Sequence, residues 1–150
     1  MINLKAQKLR LVSIVLSLAG LLDALYLTWI KFSNNYSLCI QGLGNCESVN
    51  TSSYAEIMGI PVAVLGAGTY LLLLIILLFE TRNEHLKSNA TLYLFGITLI
   101  GIFFSAYLTF IEIAVLKAIC PYCVASAILM TALFILSIVR LSQSLTENNP

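Results

Sequence analysis

Polar and charged residues in this chain come in short clusters, and long apolar tracts separate them. Four tracts stand out: Leu11–Ile30, Ile60–Phe79, Thr91–Ile111 and Pro121–Leu141. Each reaches the ~20 residues that an α-helix needs to cross a hydrocarbon core. The pattern predicts an all-α membrane protein, a four-transmembrane-helix bundle forming one domain over residues 1–150. The connectors are short apart from Lys31–Gly59, where "ESVNTSSYAEIMGIP" predicts a short cap helix in the first outer loop. There Ser53 and Glu56 match a capping box, Gly59 can close the helix and Pro61 can open the second span. Ser52 or Ser53 has a second reading, as a hydrogen-bonding residue for a ligand. The first tract follows the basic stretch "KAQKLR", as in a signal peptide. It exceeds the roughly 7–15 residues of a signal h-region and no small-x-small cleavage site follows, so an uncleaved helix is expected.

Composition sharpens this picture. The chain is 59% hydrophobic and 10% charged, against roughly 25% charged in a soluble domain. A net charge of +1 argues nothing about nucleic acid, and with no basic stripe interleaved with aromatics no nucleic-acid partner is expected, which leaves the lipid bilayer as the surroundings. Lys5, Lys8, Arg10, Arg82, Lys87 and Arg140 fall on the side of the termini, and only Lys31 and Lys117 on the other. Cytoplasmic loops are enriched in Lys and Arg. Both termini are therefore expected in the cytoplasm of a multi-pass cell-membrane protein, with the cap helix extracytoplasmic.

That orientation puts Cys39, Cys46, Cys120 and Cys123 together on the outer side, where disulfides persist. "GLLDALYLTWIKFSNNYSLC" at Gly20 also aligns without a gap with "GIFFSAYLTFIEIAVLKAIC" at Gly101. Such a repeat relates the first and third helices by an axis along the membrane normal and puts a cysteine beyond the outer end of each.

Cys120-Pro121-Tyr122-Cys123 is a CxxC with proline at the first helical position. Cys120 then sits near the N-cap, where free N–H groups and the macrodipole favour a thiolate. Cys123 lies one turn deeper, which suits a disulfide that opens and closes. Cys39 and Cys46 bracket the glycine-bearing "IQGLGN", a water-accessible pair suited to receiving electrons from another protein. A zinc site needs four ligands, or three plus water, and His85, the sole histidine, is expected on the opposite side. A site of four thiolates is the remaining metal reading; no metal is expected. Val124 stands where haem attachment needs histidine. Asp23, inside the first span, is either functional or a packing partner. Glu112, at a helix end, needs no function to explain it.

The order of these features, a Cys39…Cys46 loop pair, then "SSYAEIMGIP", then "AICPYCVASA", resembles the bacterial vitamin K epoxide reductase family of four-helix membrane oxidoreductases over roughly residues 10–140. The resemblance implies that Cys120 and Cys123 form the quinone-side redox centre. Cys39 and Cys46 would be the shuttle pair, and Ser52 the active-site serine at the quinone. It implies a quinone cofactor (menaquinone, ubiquinone or a vitamin K-like naphthoquinone) and a DsbA-like, thioredoxin-like extracytoplasmic partner. Family members often carry a fused thioredoxin-like domain. This chain ends at Pro150 without one, so the partner is expected to be a separate protein. Electrons would then run from partner to loop pair to CxxC to quinone, supporting disulfide formation. Two alternatives differ from this. A DsbB-type quinone reductase has its CxxC in the first outer loop, the reverse of the order here. A non-enzymatic membrane protein would hold structural disulfides that do not cycle.

Overall fold

A computed structural model describes residues 4–38 and 44–147. Its elements are α1 (Leu4–Ser33), a 3₁₀ turn (Tyr36–Leu38), α2 (Cys46–Asn50), a second 3₁₀ turn (Ser53–Ala55), strands β1 (Glu56–Ile57) and β2 (Ile60–Pro61), α3 (Val62–Phe79), α4 (Glu84–Phe110), a π-helical turn (Ile111–Leu116) and α5 (Pro121–Glu147). α1, α3, α5 and α4 with its π turn are long and apolar enough to cross a membrane. α1 starts well before the apolar tract at Leu11, because Lys5, Gln7, Lys8 and Arg10 are good helix formers.

The bundle packs α1 against α3 and α5, and α4 against α5. The buried positions of α1 are Ser13, Ser17, Gly20, Ala24, Leu27 and Ile30, a stripe at three- and four-residue spacing that is mostly small. Small residues let helices approach closely where lipid removes the usual hydrophobic drive. Gly20 shows this most sharply: a Cβ there would stand 2.2 Å from Cε1 of Tyr70 on α3. Its counterpart in the repeat, Gly101, packs the same way, with a Cβ falling 2.7 Å from the Met130 sulfur. Both glycines admit a large side chain from the neighbouring helix. Outward, Leu11, Leu22, Ile100 and Phe103 are exposed by 60% or more. In water so continuous an apolar exterior would aggregate; in a bilayer it is the solvated face.

At the end of the bundle near the termini, Glu80 caps α3 and is buried. Arg140 Nη2 of α5 reaches both its oxygens at 2.9 Å, and Arg10 Nε of α1 lies 3.1 Å from Oε1. One carboxylate thus joins three helices.

The opposite end carries the cap, which differs from the expected helix boxed by Ser53 and Glu56 and closed by Gly59. The helical part is earlier and shorter. Asn45 caps α2, its side chain accepting from the Ser48 N–H at 3.2 Å. Ser53 and Glu56 make no capping box; Glu56 is extended and pairs with Lys31 at 3.0 Å. Past Ala55 the chain forms an antiparallel hairpin, with Glu56 opposite Pro61 and Ile57 opposite Ile60. Its turn residues, Met58 and Gly59, have φ of 53° and 80°. Two consecutive positive φ values are the type I′ turn that matches strand twist, and no helix accommodates them. Gly59 therefore turns a hairpin instead of closing a helix, and Pro61 stands just before α3.

Candidate active site

The α4–α5 connection places the CxxC. The π turn ends at Lys117 in the left-handed conformation, φ 49°, and Ala118 N–H bonds back to the Glu112 carbonyl at 3.1 Å. Three residues later Pro121 starts α5, and Val124 N–H donates to the Cys120 carbonyl at 3.1 Å. Cys120 thereby takes the N-cap position. Its own N–H donates to Glu112 Oε2 at 3.2 Å.

The cap is stitched to this connection from the other side. Asn45 N–H donates to the Ile119 carbonyl at 3.0 Å. Gly44, φ 145°, lets the chain run so close that a Cβ would stand 2.1 Å from that same oxygen. Only glycine fits both demands. The stitch delivers Cys46, first residue of α2, to the CxxC: its sulfur lies 3.6 Å from that of Cys120. Both are essentially inaccessible, 2% and 0% exposed, in a cluster with Leu27 and Val49. Cys123 is half-buried beside them, and Tyr122 leans on Tyr26 of α1 with ring centroids 5.1 Å apart. So three of the four cysteines converge. Cys39 lies outside the described residues.

The Cys123 thiol hydrogen-bonds the Cys120 sulfur and brings the Cys120 thiol down to about 7, against burial, which pushes it up. Cys120 is thus partly ionised at neutral pH, whereas a free thiol is nearly all protonated.

Below the cap opens a cavity of about 330 Å³, walled by α1, α3, α4, α5 and the cap. That lies within the roughly 300–1,000 Å³ of small-molecule sites. Its lining is largely apolar, with Cys123 and Glu112 on one side and Asn50 and Ser52 on the cap side. Ser52 lines it, but its hydroxyl donates to the Val49 carbonyl at 2.7 Å, so its proton is already engaged. Asn50 is the group left open. It is buried, its carbonyl accepts from Lys31 Nζ at 2.8 Å, and its side-chain Nδ2 has no partner. Nδ2 is itself shielded from the cavity, so it would meet a bound carbonyl oxygen only if the side chain turned. The mostly apolar lining with a few polar side chains fits a flat ring such as a quinone. Asp23 also borders the cavity, with Oδ2 unpartnered.

Sequence reasoning missed Asn50 and Glu112. Glu112, 5% exposed, is no surface residue at a helix end. The connection after the π turn folds back so that the Cys120 N–H meets it.

A four-helix apolar bundle whose buried thiols meet at the mouth of an apolar cavity defines a membrane oxidoreductase. The chain belongs to the vitamin K epoxide reductase family, whose profile matches residues 11–138. It is similar to the thiol-disulfide oxidoreductase LTO1 of Arabidopsis thaliana, at 37% identity over 124 residues, 79% of this chain and 33% of that protein. The chain thus spans about a third of the length of that relative.

Proposed function

We propose that this protein is a thiol:quinone oxidoreductase that draws electrons from a thioredoxin-like extracytoplasmic protein and passes them through two cysteine pairs to a membrane quinone, supporting disulfide formation. Both termini then lie in the cytoplasm and the cap outside. One observation carries the reading: the Cys46 and Cys120 sulfurs lie 3.6 Å apart, while Cys123 opens onto the cavity. The thiol-disulfide oxidoreductase name of the plant relative supports the same chemistry.

A thiolate of the reduced partner attacks the Cys39–Cys46 disulfide, and the partner leaves oxidised with both loop thiols reduced. The Cys46 thiolate attacks Cys120 of the CxxC disulfide; a Cys46–Cys120 bond forms, the Cys120–Cys123 bond breaks, and Cys123 takes the electron pair. Cys39 then attacks Cys46, restoring the loop disulfide and releasing Cys120. A lowered Cys120 pKa speeds that release, because a stabler thiolate leaves faster. The quinone, when bound, supplies the sink for two electrons and two protons as the CxxC disulfide re-forms. Asn50 would reach a carbonyl oxygen through Nδ2 by turning its side chain toward the cavity, and Ser52 only by giving up Val49.

Redox-state trapping tests the relay. With Cys123→Ala, thiol-blocked membranes should accumulate a stable Cys46–Cys120 disulfide and reduce no quinone. Cys39→Ala should lose turnover with the protein partner yet keep turnover with dithiothreitol. Cysteine pairs that never change state when quinone is removed would make this a protein with structural disulfides instead.

A further inference from the structure

Among the described residues, Glu112 is the acid that lies beside both cysteines of the CxxC. Its carboxylate accepts the Cys120 N–H at 3.2 Å and lies within reach of the Cys123 thiol, whose single proton is shared between it and the Cys120 sulfur. It is 5% exposed, and it also borders the cavity. A structural role alone accounts for the first contact and not for the other two. A carboxylate kept from water is expensive unless it is well paired, and no Lys or Arg is recorded pairing with it; the recorded ion pairs involve Glu80 and Glu56. It sits where a group that alternates between charged and neutral forms is most useful, touching the sulfur that gives up a proton and the space where an acceptor must gain one.

We infer that Glu112 is a catalytic proton carrier, taking the Cys123 thiol proton as the Cys120–Cys123 bond forms and handing it to an oxygen of the quinone. This rests on the quinone reading above. In balance, the two sulfurs give up two electrons as their bond forms, and a quinone takes them with two protons. Cys123, released as a thiolate in the relay, first takes up one proton from solvent; that proton leaves when its S–H bond breaks and passes through the Glu112 carboxylate. Cys120 enters as a thiolate, so the second proton comes from solvent. The charge stays even: one thiolate and one solvent proton enter, and a neutral disulfide and quinol leave.

The π turn over Ile111–Leu116, a form found mostly at functional sites, starts beside this residue, and beyond it the chain doubles back to bring the Cys120 N–H onto the carboxylate. The other titratable groups around the same space are Asp23 and Lys31 from α1, Tyr54 from the cap and Tyr70 from α3, besides Cys46 with the CxxC. None of these has a recorded hydrogen bond to the Cys123 thiol.

The test uses the full-length protein in lipid nanodiscs, as wild type, Glu112→Gln and Glu112→Asp. Gln keeps an acceptor for the Cys120 N–H and carries no exchangeable acid; Asp keeps the acid on a shorter arm. Infrared difference spectra between dithiol and disulfide forms, with no quinone added, should show a carboxyl C=O band in wild type that Gln removes. Reduction of decylubiquinone should fall about 100-fold in Gln, within the range for loss of a general acid or base. It should also lose one ionisation from its pH profile, and Asp should restore part of the rate. A Gln variant with wild-type rate and pH profile, and no carboxyl band tied to it, would overturn the inference. A wild-type protein that does not reduce decylubiquinone would overturn the quinone reading itself, which the infrared arm does not depend on.

Discussion

At Cys120 two opposed effects meet: the Cys123 thiol donates to its sulfur, and burial disfavours its charge, with the hydrogen bond prevailing at about 7. The sign is that of a group whose charged form the fold favours, so the thiolate is populated above about pH 7 and lost below it. In a Cys39→Ser, Cys46→Ser background, the ultraviolet thiolate band should therefore appear near that pH. Cys123→Ala should move it up toward the ~8.5 of a free thiol, because the largest lowering contact is lost while burial and the backbone hydrogen bonds of residues 122 and 123 remain. An unmoved titration would show that Cys123 is not what lowers it. Asn50 and Ser52 separate in the same way. Asn50→Ala removes the buried side-chain donor on the cap wall that is unpaired among the described residues, and should raise KM for decylubiquinone about tenfold, the equivalent of ~1.4 kcal/mol. Ser52→Ala removes a bond within the cap and should leave KM nearly unchanged while lowering the melting temperature. That Cys46 meets the CxxC was legible because the topology gathers these cysteines at one end. Asn50 and Glu112 were not, since nothing near them in the chain records which way a cap turn or a π turn aims a side chain.

Helices were the easiest elements to foresee, because each apolar tract is as long as a bilayer is thick. The cap was harder. Its Ser-x-x-Glu spacing resembles a capping box, yet Asn45 caps α2 and Lys31 holds Glu56 in an extended conformation, a contact with α1 far off in sequence. The turn at Met58-Gly59 gave a weaker signal than Asn-Gly would, as methionine seldom takes a positive φ. Gly44 likewise read as mere loop glycine, and its worth appears only against the Ile119 carbonyl. Gly44→Ala places a methyl group where 2.1 Å separates it from that oxygen, so the α2 stitch must open. Formation of the Cys46–Cys120 disulfide in the Cys123→Ala background should slow by at least about tenfold, a loss of ~1.4 kcal/mol in positioning. The bundle should melt as before. Equal rates with and without the methyl group would mean that the stitch does not set the sulfur separation.

Charge placement ties the whole molecule to its membrane. The Arg10–Glu80–Arg140 cluster closes the end that holds the termini, and the cysteines and cap occupy the other. α3 is 18 residues long, ~27 Å at 1.5 Å per residue, which matches a hydrocarbon core of ~30 Å and leaves the hairpin and the Glu80 cluster at the two interfaces. Breaking the cluster tests how much of the bundle it holds: Glu80→Ala strands Arg140 without its carboxylate and should cost about 3 kcal/mol, read as a lower melting temperature in nanodiscs. Orientation needs a reporter at the surface, and Cys46 is unsuited because it is 2% exposed. Met58, at the hairpin tip and 98% exposed, is suited. In a cysteine-free background, Met58→Cys should react with an impermeant maleimide on intact cells. Arg82→Cys, in the exposed α3–α4 turn, should react only after permeabilisation. The Lys and Arg bias argues for that result, and so does the chemistry, since a dithiol relay that oxidises its partner belongs on the side where disulfides persist. The reverse labelling would place the cap among reduced thiols, and the relay would then have to run with a cytoplasmic partner.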